Sequence, residues 1–166
     1  MRQDEFEKIY RTYYRPLMFY ALSLTRNRND AEDLVSETMI RVFLSYDGKR
    51  ELRPWLFKVL HNLFIDHTRK AKRVVPVESE VLENIPDHES MISKWIVEED
   101  RKWLYRKIYT LPMLERSVLL LSLTSGMNDQ QIAEQLNIKI EYLRVIRNRA
   151  KNTLKELARK DGLDGR

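Results

Sequence analysis

Residues 126–155 read GMNDQQIAEQLNIKIEYLRVIRNRAKNTLK, and this stretch decides the fold. Gly126 can close one helix, and Asn128 can cap the next, with Gln131 three residues on to complete a capping box. A short helix over Asp129–Leu136 then places Ile132, Ala133 and Leu136 on one face. A tight break at Asn137 leads into a longer helix from about Lys139. In that helix Leu143, Ile146, Ala150, Leu154 and Leu157 share one apolar stripe. Arg144, Asn148, Lys151 and Lys155 lie well away from it, with Arg147 between the two. From Lys139 to Lys155 six Lys/Arg stand against one acid, Glu141. A helix-turn-helix with so basic a second helix predicts a reader of phosphates and base edges. On this stretch alone, a helical hairpin with a solvated charged face is the alternative.

Upstream, helical spacing predicts one helix over about Ser90–Tyr109, carrying Trp95, Trp103 and Leu104, and another from Pro112 to Leu123. Before them periodicity fails. Residues 74–93 hold Glu78, Glu80, Glu83, Asp87 and Glu89 with no Lys or Arg, a net charge of −5. The flanking blocks, 1–73 and 94–166, each carry 15 Lys/Arg and 10 Asp/Glu, a net of +5 apiece. Twenty structureless residues fit an interdomain connector better than a loop inside one domain. The expected architecture is therefore all-α: a domain over 1–73, an acidic flexible linker over 74–93, and a domain over 94–166 containing the helix-turn-helix. Fully stretched, that linker would reach at most about 65–70 Å.

The first block predicts three helices. One spans about Asp4–Thr25, burying Phe6, Ile9, Tyr10, Tyr13, Leu17, Tyr20, Ala21 and Leu24, with Pro16 a kink inside it. The second, about Asn29–Tyr46, has acids Asp30, Glu32 and Asp33 at its positive end and a core stripe of Ala31, Leu34, Val35, Thr38, Val42 and Phe43. Asp47-Gly48 breaks it. The third begins near Pro54 and runs to about Lys70, burying Leu56, Val59, Leu60, Leu63 and Phe64. Away from that core, Trp55, Lys58, Asn62, Asp66, Arg69 and Arg73 fall on one stripe, beside the run Arg69-Lys70-Ala71-Lys72-Arg73. Asn can pair with a base edge, aromatics stack on unpaired bases, and cations hold phosphates. The alternative is a solvated face with an Asp66–Lys70 ion pair and a half-buried Trp55.

Other chemistries find little support. His61 and His67 point to different faces, and neither a metal-ligand spacing nor a nucleophile with its base is visible. No glycine-rich phosphate loop occurs. No catalysis, metal or cofactor is expected. Cysteine is absent, no run of 18 apolar residues could span a membrane, and the N-terminus lacks a signal-peptide core. A cytoplasmic address without membrane insertion follows as the expectation.

Taken together, the chain resembles the extracytoplasmic-function (ECF) sigma factors, promoter-recognition subunits of bacterial RNA polymerase. Asp30-Ala31-Glu32-Asp33-Leu34-Val35-Ser36-Glu37-Thr38 is similar to the family's acidic core-binding motif. Arg53-Pro54-Trp55-Leu56-Phe57, followed by Asn62, Asp66, Arg69 and Lys70, resembles the helix that reads the minus-ten element. Leu111-Pro112, Glu115-Arg116, Ile132-Ala133 and Arg149-Ala150 resemble landmarks of the helix-turn-helix that reads the minus-thirty-five element. The chain departs from the pattern at Ser36, at Asn137 in place of a glycine, and at Glu141-Tyr142-Leu143 where the reading helix begins.

The resemblance implies roles. Asp30, Glu32, Asp33, Leu34, Glu37 and Arg41 would bind core RNA polymerase. Trp55, Lys58, Asn62, Asp66, Arg69, Lys70 and Arg73 would take the minus-ten strand, helped by the loop Ser45–Arg53 around a flipped base. Arg144, Arg147, Asn148, Lys151 and Lys155 would meet the minus-thirty-five element in promoter DNA, and the acidic linker would thread toward the polymerase's RNA path. An anti-sigma factor is a partner implied by the resemblance alone. Two other readings compete: a dimeric repressor or activator using only the C-terminal reader, and a nucleic-acid enzyme whose catalytic groups are not evident.

Overall fold

The computed structural model describes residues 1–73 and 85–163, and those residues form eight α-helices with no strand. They divide into two units, Met1–Asp87 and His88–Arg166. No helix among the described residues is long and apolar enough to cross a membrane.

The first unit packs α1 (Gln3–Thr25), α2 (Arg28–Ser45) and α3 (Leu52–Arg73) against one another. The eight residues Leu17–Leu24 are all buried, so the second half of α1 is enclosed on every side. The first half is not. Phe6, Ile9 and Tyr13 are only partly covered and Tyr10 is exposed, contrary to the expected buried stripe. These aromatics cover one another instead: the Tyr10 and Tyr14 rings stack at 5.1 Å, and Phe6 meets Phe43 edge-on at 5.5 Å. Arg26, at φ 53°, turns the chain out of α1, and the Asn27 side chain accepts from the Asp30 N–H to start α2.

α2 buries Ala31, Leu34, Val35, Thr38, Met39 and Val42. Phe43, expected in this core, is exposed, and Met39 takes the inward position. α3 buries Leu56, Phe57, Leu60, His61 and Leu63, while the expected core residues Val59 and Phe64 are only half-buried. The inward stripe is thus rotated toward Phe57 and His61, because α1 offers them a partner. The Tyr20 ring lies 5.6 Å from Phe57, and its hydroxyl is hydrogen-bonded to His61 Nδ1 at 2.9 Å.

In the second unit, α4 (Ile85–Trp95) occupies part of the stretch expected to be linker, and the expected single helix over Ser90–Tyr109 is broken. Residues 74–84 of that linker lie outside the described residues. Glu89 holds Arg106 at 3.0 Å, the His88 ring stacks on Tyr109 at 4.8 Å, and Met91, Ile92 and Ile96 are buried. The chain leaves the helix at Ile96–Glu98, where Val97 is 88% exposed, and α5 (Glu99–Thr110) restarts with Glu99 and Asp100 in its first turn. Acids suit that positive helix end.

α6 (Met113–Thr124) contributes Val118–Leu121 to the core, and its buried Arg116 donates through Nη1 to the Leu111 carbonyl at 2.8 Å. α7 (Asp129–Leu136) and α8 (Ile140–Lys160) follow. Trp103 Nε1 and Lys107 Nζ both reach Asp161 Oδ2, at 2.8 and 3.2 Å, tying the end of α8 to α5.

Burial holds the His61 imidazole below its ordinary pKa of 6.5, so the folded unit keeps it neutral. Below pH 6.5 the unfolded chain gains a proton that the folded chain refuses, so stability falls until the depressed folded pKa is passed. Urea unfolding at pH 7.5, 6.5 and 5.5 should show this loss, and His61→Gln should flatten it. Tyr20→Phe, which leaves a buried imidazole nitrogen unpaired, should cost about 1–3 kcal/mol at neutral pH.

Candidate nucleic-acid interface

Locking Phe57 and His61 inward fixes what α3 shows outward, because neighbouring residues of a helix are about 100° apart. Lys58 and Asn62 each follow an inward residue, and Asp66, Arg69 and Lys70 continue their line. All five are exposed, and none is drawn into a hydrogen bond or ion pair among the described residues. The Asp66–Lys70 pair that a purely solvated face would favour does not form. Arg73's side chain lies outside the described residues.

Trp55 stands at the head of this stripe, half-buried against Tyr46 with ring centroids 5.3 Å apart. The Tyr46 hydroxyl donates to the Arg50 carbonyl at 2.5 Å, and the Lys49 N–H donates to Asp47 Oδ1 at 3.0 Å. Gly48 takes φ 76° between them, closing the short loop from α2 to α3. Lys49 and Arg50 remain exposed on it. The Arg53 guanidinium sits 5.4 Å above the Tyr13 ring, fastening the start of α3 to α1. Tyr46 and Tyr13 were not legible as parts of this surface; their one signal was an aromatic beside a turn or a basic residue.

The acidic helix divides differently from expectation. Asp30, Asp33 and Arg41 are exposed on α2. Glu32 is paired with Arg28 at 3.1 Å, and Glu37 meets His67 Nε2 at 2.9 Å. Leu34 is corrected: at 2% exposure it belongs to the core and offers no docking surface. Ile40 and Leu44 extend the Asp33–Glu37–Arg41 line at helical spacing, and Leu44 is 73% exposed. These two apolar side chains were missed, because an apolar residue on a helix reads first as core.

The α7–α8 pair starts from a complete capping box. Asn128 accepts from the Gln131 N–H at 2.9 Å, and the Gln131 side chain accepts from the Asn128 N–H at 2.9 Å. Gly126 at φ 70° closes α6, and Asn137 at φ 56° closes α7. Asn tolerates this left-handed geometry better than other non-glycine residues. Leu143, Ile146 and Ala150 are buried, with Leu154 and Leu157 partly covered. Arg144, Asn148, Lys151 and Lys155 are exposed.

Arg147 is corrected. Its two terminal nitrogens grip Asp129 at 2.6 and 3.1 Å, and Nη2 also donates to Ser122 Oγ at 3.0 Å. With 19% of its side chain exposed, it holds α8 to α7 and α6 rather than facing outward. Arg144 Nε lies 3.7 Å from the same carboxylate but is 63% exposed. Among the described residues no group of three or more His, Asp or Glu is placed to hold a metal ion.

Against this geometry stand the similarities to known proteins. The Sigma-70 region 2 family profile matches residues 9–74. The ECF RNA polymerase sigma factor SigM of Bacillus subtilis is 29% identical over 154 residues, covering 91% of this chain and 93% of that protein. The ECF RNA polymerase sigma factor SigL of Mycobacterium tuberculosis is 31% identical over 134 residues, covering 78% of this chain and 75% of that protein. In fold, the chain is similar to the sigma factor RpoE of Bartonella quintana, solved with the anti-sigma factor NepR. The TM-score is 0.62 and the identity 22%, over 93% of this chain and 97% of that one.

The caps and the exposed stripe should separate cleanly on mutation. Asn128→Ala should lower the stability of the chain by about 1 kcal/mol. Asn62→Ala, on the open face of α3, should stay within about 0.5 kcal/mol. Paired denaturation curves check both.

Proposed function

The chain belongs to the ECF sigma factors, which direct bacterial core RNA polymerase to specific promoters and assist their opening, and on that premise we propose how its surfaces divide the work. The observation that carries the proposal is the unpartnered polar stripe of α3, set beside the inward face of Leu56, Phe57, Leu60, His61 and Leu63. Those five exposed side chains, Lys58, Asn62, Asp66, Arg69 and Lys70, keep their donors and acceptors free for a ligand instead of spending them on one another.

Residues 1–73 form the module for core polymerase and the minus-ten element. On α2, Asp33, Glu37 and Arg41 dock on the polymerase, supported by Asp30 and Glu32 at the helix start and by exposed Ile40 and Leu44. On α3, Asn62 pairs with an unstacked base, Trp55, with Tyr46 from the end of α2, supplies aromatic surface, and Lys58, Arg69 and Lys70 hold the backbone. The loop from Ser45 to Arg53 encloses a flipped base. The second module covers residues 88–166. There α8 enters the major groove as the second member of a helix-turn-helix, with Arg144 and Asn148 toward base edges and Lys151 and Lys155 toward phosphates. The acidic connector between the two modules, shortened by α4 from the 74–93 first expected, mimics nucleic acid along the polymerase's RNA path.

The protein acts in the cytoplasm, has no catalysis of its own, and binds promoters well only after joining core polymerase. An anti-sigma factor holds it inactive, a reading supported by the family and by the fold likeness to RpoE, which was solved with NepR. Pull-down with core polymerase followed by run-off transcription tests the whole scheme, and a chain that does not bind core ends it. Tight polymerase-independent binding to a two-fold symmetric duplex would favour a conventional repressor instead.

Asp33→Lys should weaken the pull-down while the far-ultraviolet circular dichroism is unchanged. An unfolded variant would make Asp33 structural. Arg144→Ala should cost about 1–3 kcal/mol of upstream-element recognition, measured against a scrambled element. Equal loss on both sequences would make it a phosphate contact.

A further inference from the structure

Asp129 is the first residue of α7, where its charge suits the positive helix end. Its carboxylate also gathers two cations of α8. Arg147 grips both oxygens, at 2.6 and 3.1 Å, in the planar fork geometry that guanidinium and carboxylate share, and Arg144 lies 3.7 Å from one of them. Arg147 Nη2 also donates to Ser122 Oγ at 3.0 Å, so the Asp129–Arg147 pair ties α7, α8 and α6 together. The Arg147 hydrogen bonds hold the Asp129 carboxyl below its usual range. The anion therefore persists to a lower pH than that of a free aspartate.

A basic helix without such an anion would meet any duplex, since phosphate contacts carry no sequence information and set the salt dependence of binding. Asp129 withdraws Arg147 from that pool and, at 3.7 Å, draws the Arg144 side chain toward the start of α7. A base-reading side chain held at one angle discriminates; a free one finds the nearest phosphate.

We infer that Asp129 is a positioning residue for promoter selectivity, keeping Arg147 off the DNA backbone and presenting Arg144 to a base edge. The inference rests on the reading of α8 as the upstream-element helix. It assigns discrimination to a residue that need not touch DNA.

The test uses holoenzyme reconstituted from the full chain and core polymerase. Two duplexes are needed: one selected by the wild-type holoenzyme from a random pool, and the same duplex with its upstream element scrambled. Asp129→Asn should bind the scrambled duplex about three- to tenfold more tightly, with a log–log salt slope steeper by about 1 for each further phosphate neutralised. Its preference for the intact element should fall at least about fivefold, within the range of one good base contact. Arg147→Gln, which opens the clamp without freeing a cation, should lose preference while leaving scrambled-duplex affinity unchanged. It also decides the matter if Asp129→Asn fails to fold. A selective wild type matched by both variants overturns the inference alone. A wild type indifferent to scrambling overturns the reading of α8, and the inference with it. A fall in affinity equal on both duplexes would make Asp129 merely structural and also overturn it.

Discussion

The structure depends on a helix that has no outside. Leu17–Leu24 of α1 are buried on every side, so any polar group in that segment must be satisfied from within. Ser23 donates back to the Tyr20 carbonyl at 2.6 Å. The Tyr20 hydroxyl has no such local route and is met by His61 from α3. That bond, with the Phe57 ring beneath it, sets the rotation of α3 from the inside. The outward consequence is the polar stripe, because Lys58 and Asn62 are each one residue beyond an inward anchor. A slip of a single residue would put Phe57 and His61 into solvent and Asn62 into the core.

The second unit solves the same problem with charge rather than aromatic packing. α7 is eight residues long, too short to bury much apolar surface, and only Ile132 and Ala133 of it are fully covered. Its capping box, its left-handed exit at Asn137 and the Asp129–Arg147 grip compensate for that small core. Arg116 does comparable work at the α5–α6 corner, where a buried guanidinium answers a carbonyl that would otherwise face the interior. In both units, the surface offered to ligands is what remains after the polar groups needed by the fold have been satisfied.

This division explains what could be read from the amino-acid sequence. Features governed by residues within one turn were legible: the Asn128–Gln131 cap, the stop at Gly126, the bounds of α7 and the left-handed Asn137. The all-helical class and the family resemblance rested on such local signals, repeated in order. Features decided by a distant partner were not. Phe43 or Met39, Phe64 or Phe57, are equally good core residues by spacing, and only the position of α1 chooses between them. Arg147 reads as one more cation of a basic helix until Asp129, 18 residues earlier in the chain, is seen beside it. The helix from Ile85 was hidden among acids, because Glu89 looks like connector until Arg106 claims it.

Pro16 marks a thermodynamic border inside α1. It lacks the amide hydrogen that would continue the helical ladder, and it separates a segment packed all round from one covered by Phe43, by Arg53 over Tyr13 and by its own aromatics. Opening the turns before it would expose little apolar area, whereas opening those after it would dismantle the three-helix core. The cohesion of the three-helix core thus begins at this proline, and the turns before it are the part of the helix that the core holds least.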